Sequence, residues 1–183
     1  MKKAIDILIV LVLVVIVSCQ NKQKTEKQNP VSEFDLIADL TNFQLKMTEL
    51  DTLKIAFDHS VCTYEGYEQI QITKQSDSIH IVSNFMAMTF EENPKWKKMY
   101  DKKISENDTI WKFEQFLRRN ENRKNTGENK RGILMITNNK DTIRYSTDGL
   151  IELSRFLADY YETMKKIYPE NENGLYGFGI LEE

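Results

Sequence analysis

Apolar positions follow three rhythms along this chain. Ile7 to Val17 is one unbroken run of Ile, Leu and Val. Gln20 to Pro30 then offers nothing apolar for a core, so that stretch is expected to be a flexible tether. From Ser32 the chain mixes helical and strand periods. Ser32 and Asp35 are helix-start signals, and Phe34, Ile37, Ala38, Thr41 and Leu45 recur at helical spacing. A helix is predicted over 33–41. Phe43, Leu45 and Met47 also alternate, so its end can be read as extended. A β meander follows. Leu53, Ile55 and Phe57 alternate with polar or small neighbours, as do Ile70 with Ile72 and Ile79 with Ile81. Lys74-Gln75-Ser76-Asp77 supplies a turn.

Asn93-Pro94 reads as a helix start with Pro at the first helical position, and Trp96, Met99 and Tyr100 as its apolar side. Asn107-Asp108 opens another helix with Ile110, Phe113 and Leu117 in a stripe. Residues 120–131 are a polar loop. Ile133–Ile136 and Thr142–Tyr145 form a hairpin about Asn138–Asp141. Asp148 is expected to cap a final helix with Leu150, Leu153, Leu157, Tyr160, Tyr161, Met164 and Ile167 on one side, ended by Pro169. The tail Gly174–Ile180 is either an edge strand or a loose aromatic segment. The order αβββααββα predicts an α+β domain, an antiparallel sheet of about five strands with helices packed on one face.

The start of the chain carries an address. Met1-Lys2-Lys3 precedes the apolar run, and Ile16-Val17-Ser18-Cys19 follows it. The run is shorter than the roughly 20 residues needed to span a bilayer, and suits the core of an export signal. Basic start, apolar stretch, small residue and cysteine together resemble the signal peptide and lipobox of bacterial lipoprotein precursors. That resemblance implies cleavage after Ser18, a diacylglyceryl group on the Cys19 thiol and acylation of the new amino terminus. Two or more acyl chains hold a protein on a membrane where one is marginal. The implied organisation is a signal peptide over 1–18, a lipidated tether over 19–31 and a single domain over 32–183. The implied location is the bacterial cell envelope.

Charge and cysteine content narrow the picture. With Cys19 lipidated, Cys62 is the only other cysteine and has no intramolecular disulfide partner. Burial as a small apolar residue is the ordinary fate of such a thiol. The net charge of -3 is unevenly spread. Residues 30–94 carry three lysines against eleven acidic residues, and residues 95–131 carry twelve basic against six acidic. Nucleic acid is not an expected partner for an exported and overall acidic chain.

Candidate chemistry is sparse. Asp58-His59-x-x-Cys62 is the one cluster able to suggest a Cys–His nucleophile or a zinc ligand pair. On one strand, however, His59 and Cys62 point to opposite faces. His59 also suits a structural place on the buried face. Acid pairs such as Glu65 with Glu68, or Glu91 with Glu92, have the ordinary reading of surface carboxylates. No nucleophile elbow, phosphate loop, dinucleotide fingerprint or His-Glu-x-x-His is present, so neither a cofactor nor a metal is expected. Lys95, Trp96, Lys98 and Lys102, on a basic helix, are candidate contacts to anionic lipid headgroups. Tyr64 and Tyr67, beside Gly66, are a candidate recognition loop. The sequence therefore predicts a membrane-anchored envelope lipoprotein acting, without catalysis, as a binding module for a protein or envelope component. An immunity- or inhibitor-like role is one version. The alternatives are an envelope enzyme using Cys62 or His59, or a structural accessory of an envelope complex.

Overall fold

Strict alternation of apolar and polar residues produces β1 (Thr52–Asp58), β2 (Glu65–Gln75) and β3 (Ser78–Met88), joined as an antiparallel meander. The computed structural model describes residues 31–61, 64–88, 93–125, 133–139, 141–171 and 174–177. The β2–β3 connection is the two-residue turn Ser76-Asp77, with Ser76 at φ 52°, the sign a type II′ turn needs at its first central residue. Glu49 accepts a bond from the Ser76 N–H at 2.8 Å and holds that turn.

Among the described residues the sheet has seven strands in the order β4-β3-β2-β1-β6-β7-β5, and every neighbouring pair is antiparallel. Beyond the meander these are β4 (Lys97–Ser105), β5 (Lys124–Asn125), β6 (Leu134–Thr137) and β7 (Thr142–Tyr145). The α+β class and the antiparallel sheet follow the sequence reading, with two more strands than expected. The expected helix after Pro94 is corrected: that segment is edge strand β4. The physical reason is a register shift opposite Ser83/Asn84, which leaves Met99 as an extra residue. Its insertion breaks period-two alternation and brings Trp96, Met99 and Tyr100 to helix-like spacing. β5, within the stretch read as a polar loop, pairs with β7.

The helical elements are α1 (Leu36–Asp39), a 3-10 turn (Leu40–Asn42), α2 (Phe43–Lys46), α3 (Phe113–Arg119), a second 3-10 turn (Glu121–Arg123) and α4 (Gly149–Met164). Asp35 caps α1, accepting from the Ile37 and Ala38 N–H groups at 2.8 and 3.0 Å. The first helical region thus runs on to Lys46, and Phe43 to Lys46 is helical rather than extended. Asp108 accepts from Ile110 and Trp111, forming a turn ahead of α3, which begins five residues later than its start signal. The Asp148 side chain makes no capping bond to α4; its backbone N–H donates to Glu152 instead. Leu150, in the first turn at the margin of the stripe, is exposed, while Phe156, Leu157, Tyr160 and Met164 are buried.

Leu53, Ile55 and Phe57 of β1, Ile70 and Ile72 of β2, and Ile79 and Ile81 of β3 point to one face and join the core. The helices cover that face: Phe57 stacks on Tyr160 with ring centroids 3.6 Å apart, and Tyr145 stacks on Phe156 at 6.4 Å. The opposite face holds Lys54, Ala56, Gln69 and Gln71, and stays open. Among the described residues no helix is long and apolar enough to cross a membrane.

Candidate functional site

Three apolar files on the covered face end in a polar residue. Leu53, Ile55 and Phe57 lead to His59; Ile72 and Ile70 lead to Glu68; Ile79 and Ile81 lead to Ser83. Antiparallel pairing brings these three ends together under α4. Glu68 is 1% exposed, and its carboxylate receives four donors. Ser83 Oγ lies 2.6 Å and Tyr176 Oη 2.5 Å from Oε1. His59 Nε2 lies 3.1 Å and Tyr160 Oη 2.9 Å from Oε2. Two oxygens offer about four lone-pair sites, so the carboxylate is saturated.

The network extends further. Tyr100 Oη of β4 is 2.8 Å from Tyr176 Oη, and Tyr161 Oη is 3.2 Å from His59 Nδ1. Nε2–H donates to the Glu68 carboxylate, and Nδ1 pairs with the Tyr161 hydroxyl, which can donate or accept. Burial pushes the Tyr100, Tyr160 and Tyr176 phenols well above the ordinary tyrosine range, and the negative Glu68 adds to the shift. Tyr161 is pushed up to about 12, chiefly by burial. Burying a carboxylate costs several kcal/mol. Each hydrogen bond to a charged group returns about 1.5–3 kcal/mol. Four such bonds, about 6–12 kcal/mol together, offset the cost. The chemistry open to this cluster is therefore positioning. A substrate proton would have to displace a native donor before reaching either His59 or Glu68.

The second feature is the open face. Around the small side chain of Ala56, the residues Lys54, Gln69, Gln71, Asn84, Met135 and Thr137 line a shallow groove of about 440 Å³. Register explains it: Ala56 sits between Met135 on β6 and Gln69 on β2, and Gln69 faces Asn84 on β3. A one-carbon side chain flanked by long ones leaves a dent rimmed by amide and hydroxyl groups.

The other sequence candidates are dispersed. Cys19, Cys62, Glu91 and Glu92 lie outside the described residues. Tyr64 is 43% exposed at the end of the bridged turn Val61–Tyr64. Its ring lies over Gly66 on the helix-covered side, where an added Cβ would meet Tyr64 Oη and Phe85 Cζ at 2.7 Å. Alternation along β2 sends Tyr67 to the open face, so the two tyrosines do not share a surface. Lys95 and Trp96 precede β4, and Lys98 and Lys102 lie within it. Glu65 is exposed and Glu68 buried, so that acid pair is split between faces. Among the described residues no group of three or more His, Cys, Asp or Glu side chains is placed to hold a metal ion.

Sequence reasoning missed Ser83, Tyr160 and Tyr176 as partners of Glu68, and Tyr100 as the partner of Tyr176. The available signal was a lone acid on the apolar parity of β2, with His59 and Ser83 on the same parity of their own strands. Comparison of the chain with protein-family models, with known proteins and with solved structures finds no match in any of the three.

Proposed function

We propose that this chain is a lipid-anchored envelope lipoprotein whose α+β domain is a binding module for a protein or envelope component. The observation that carries the binding reading is the open sheet face with its groove at Ala56. Among the described residues helices cover one side of the sheet; around Ala56 the uncovered side presents amides, hydroxyls and the Lys54 ammonium, while the ion pairs of His80, Lys98 and Asp101 lie toward its β4 margin. The saturated Glu68 network supports the same reading, because it locks β1, β2, β3, β4 and α4 together and keeps the open face rigid. Preorganised surfaces lose less entropy on binding. The lipobox, on residues outside the described ones, supplies the anchor. The rival reading of an enzyme using His59 has to free that ring from both Glu68 and Tyr161 first.

The test is crosslinking in intact cells followed by capture of the tagged full chain, alongside Ala56→Trp, which fills the groove. The reading expects a discrete partner with the parent chain and its loss with Ala56→Trp at an unchanged unfolding midpoint. Equal capture by both chains, or none by either, refutes it.

A further inference from the structure

β4 is an edge strand: among the described residues no strand lies beyond it. About half of an edge strand's backbone N–H and C=O groups point outward without a ladder partner. Around it run Lys95, Lys97, Lys98, Lys102 and Lys103. Pairing with β3 distributes the last four to both sides of the sheet. Lys97 lies opposite Phe85 and Lys102 opposite Ile81, on the helix-covered side. Lys98 lies opposite Asn84 and Lys103 opposite His80, on the open side. Lys98 pairs with Asp101 and Lys102 with Glu170; Lys97 and Lys103 make no ion pair among the described residues. Trp96, 41% exposed, stands at the start of the strand.

We propose that the free edge of β4 binds an extended acidic segment of a partner protein, which adds to the sheet as a further strand. This deepens the binding-module reading and rests on it. Three features select this occupant. A second copy of the same edge would set lysine against lysine, so self-pairing is disfavoured. A strand carrying pairs of acidic side chains at adjacent positions presents carboxylates on both of its faces and so meets the cations that β4 presents on both. A membrane surface needs basic and apolar groups sorted to one side, and β4 splits its lysines between two. Main-chain bonds then supply affinity while the side chains supply selectivity.

The test uses the full chain in nanodiscs of phosphatidylcholine and an end-blocked peptide of repeating Glu-Glu-Thr-Thr, which as a strand carries acids on both faces. Hydrogen exchange is followed across residues 97–105. The proposal expects the peptide to slow exchange there, and Lys97→Glu with Lys103→Glu to weaken it about tenfold or more. The same pair changed to Gln should fall between. A peptide methylated at every amide keeps its charge but loses its donors on both edges, and should not protect the strand. Equal protection by the methylated peptide overturns strand addition, as does protection confined to other elements. Slowed exchange in phosphatidylglycerol nanodiscs without peptide assigns the lysines to the membrane and also overturns it. Failure here, with capture still sensitive to Ala56→Trp, removes the edge site and leaves the groove reading standing.

Discussion

Replacing Glu68 separates its two roles, as a buried charge and as an acceptor. In Glu68→Gln the carbonyl keeps the bonds from His59 and Tyr160, and the amide nitrogen faces Ser83 and Tyr176. Both hydroxyls can rotate and accept. Tyr176 then donates to Tyr100, since either phenol of that 2.8 Å pair can be the donor. Four charge-assisted bonds become neutral ones, a loss of about 1 kcal/mol each. Relief from burying an ion, several kcal/mol, works in the opposite direction. The net change should stay within about 2 kcal/mol. Glu68→Leu instead leaves four buried donors without their acceptor. At about 1–3 kcal/mol per orphaned donor, the cost is about 4–12 kcal/mol. That span reaches the whole stability of an ordinary domain, about 5–15 kcal/mol. Urea unfolding, followed by the fluorescence of buried Trp111, reads both variants. The Gln chain should unfold with an unchanged slope, whereas the Leu chain should fold marginally or not at all. A Leu variant as stable as the parent would refute the claim that the four donors depend on this carboxylate.

Alkali should act through the same cluster. The folded-state pKa values of Tyr100, Tyr160 and Tyr176 are raised, so their contribution is complete below the unfolded value near 10 and declines as pH rises. Each should remove about 1.4 kcal/mol per pH unit above that point, so urea midpoints at rising pH should drop steeply while phenolate absorbance appears together with unfolding. Constant midpoints through pH 11 would contradict this. Tyr145 is fully buried, and its hydroxyl has no partner among the described residues. Tyr145→Phe should therefore be neutral or stabilising, while Tyr160→Phe, which removes a donor from Glu68, should cost about 1–3 kcal/mol in the same assay. Cys19→Ala should move the chain from the membrane fraction to the soluble fraction; retention in the membrane would contradict lipid anchoring.

The meander was legible because each strand keeps a strict period of two over its buried length. β4 was not, because the single extra residue at its bulge flips parity between Lys98 and Tyr100, and the resulting spacing imitates a helix. The start of α3 was misplaced because Asp108 closes a local turn first. The candidate site was half legible. His59, Glu68 and Ser83 each stand on an apolar parity, which marks them as unusual. What satisfies them is invisible in one dimension, because Tyr160 and Tyr176 reach Glu68 across 92 and 108 residues. The groove was not legible, because a dent at Ala56 exists only once β6 and β2 flank β1.

The late arrival of Tyr176 has a consequence for the order of events in synthesis. β2, which carries Glu68, leaves the ribosome early, and its carboxylate gains the shortest of its four bonds only when residue 176 has been added. Until then the carboxylate has only its bonds from His59, Ser83 and Tyr160, and one acceptor site on Oε1 is left for water. Contacts closed over so long a separation also form slowly. For a chain that leaves the cytoplasm, as proposed here, this sets the order of events: the polar end of the sheet closes after the apolar files of β1, β2 and β3 have already been made.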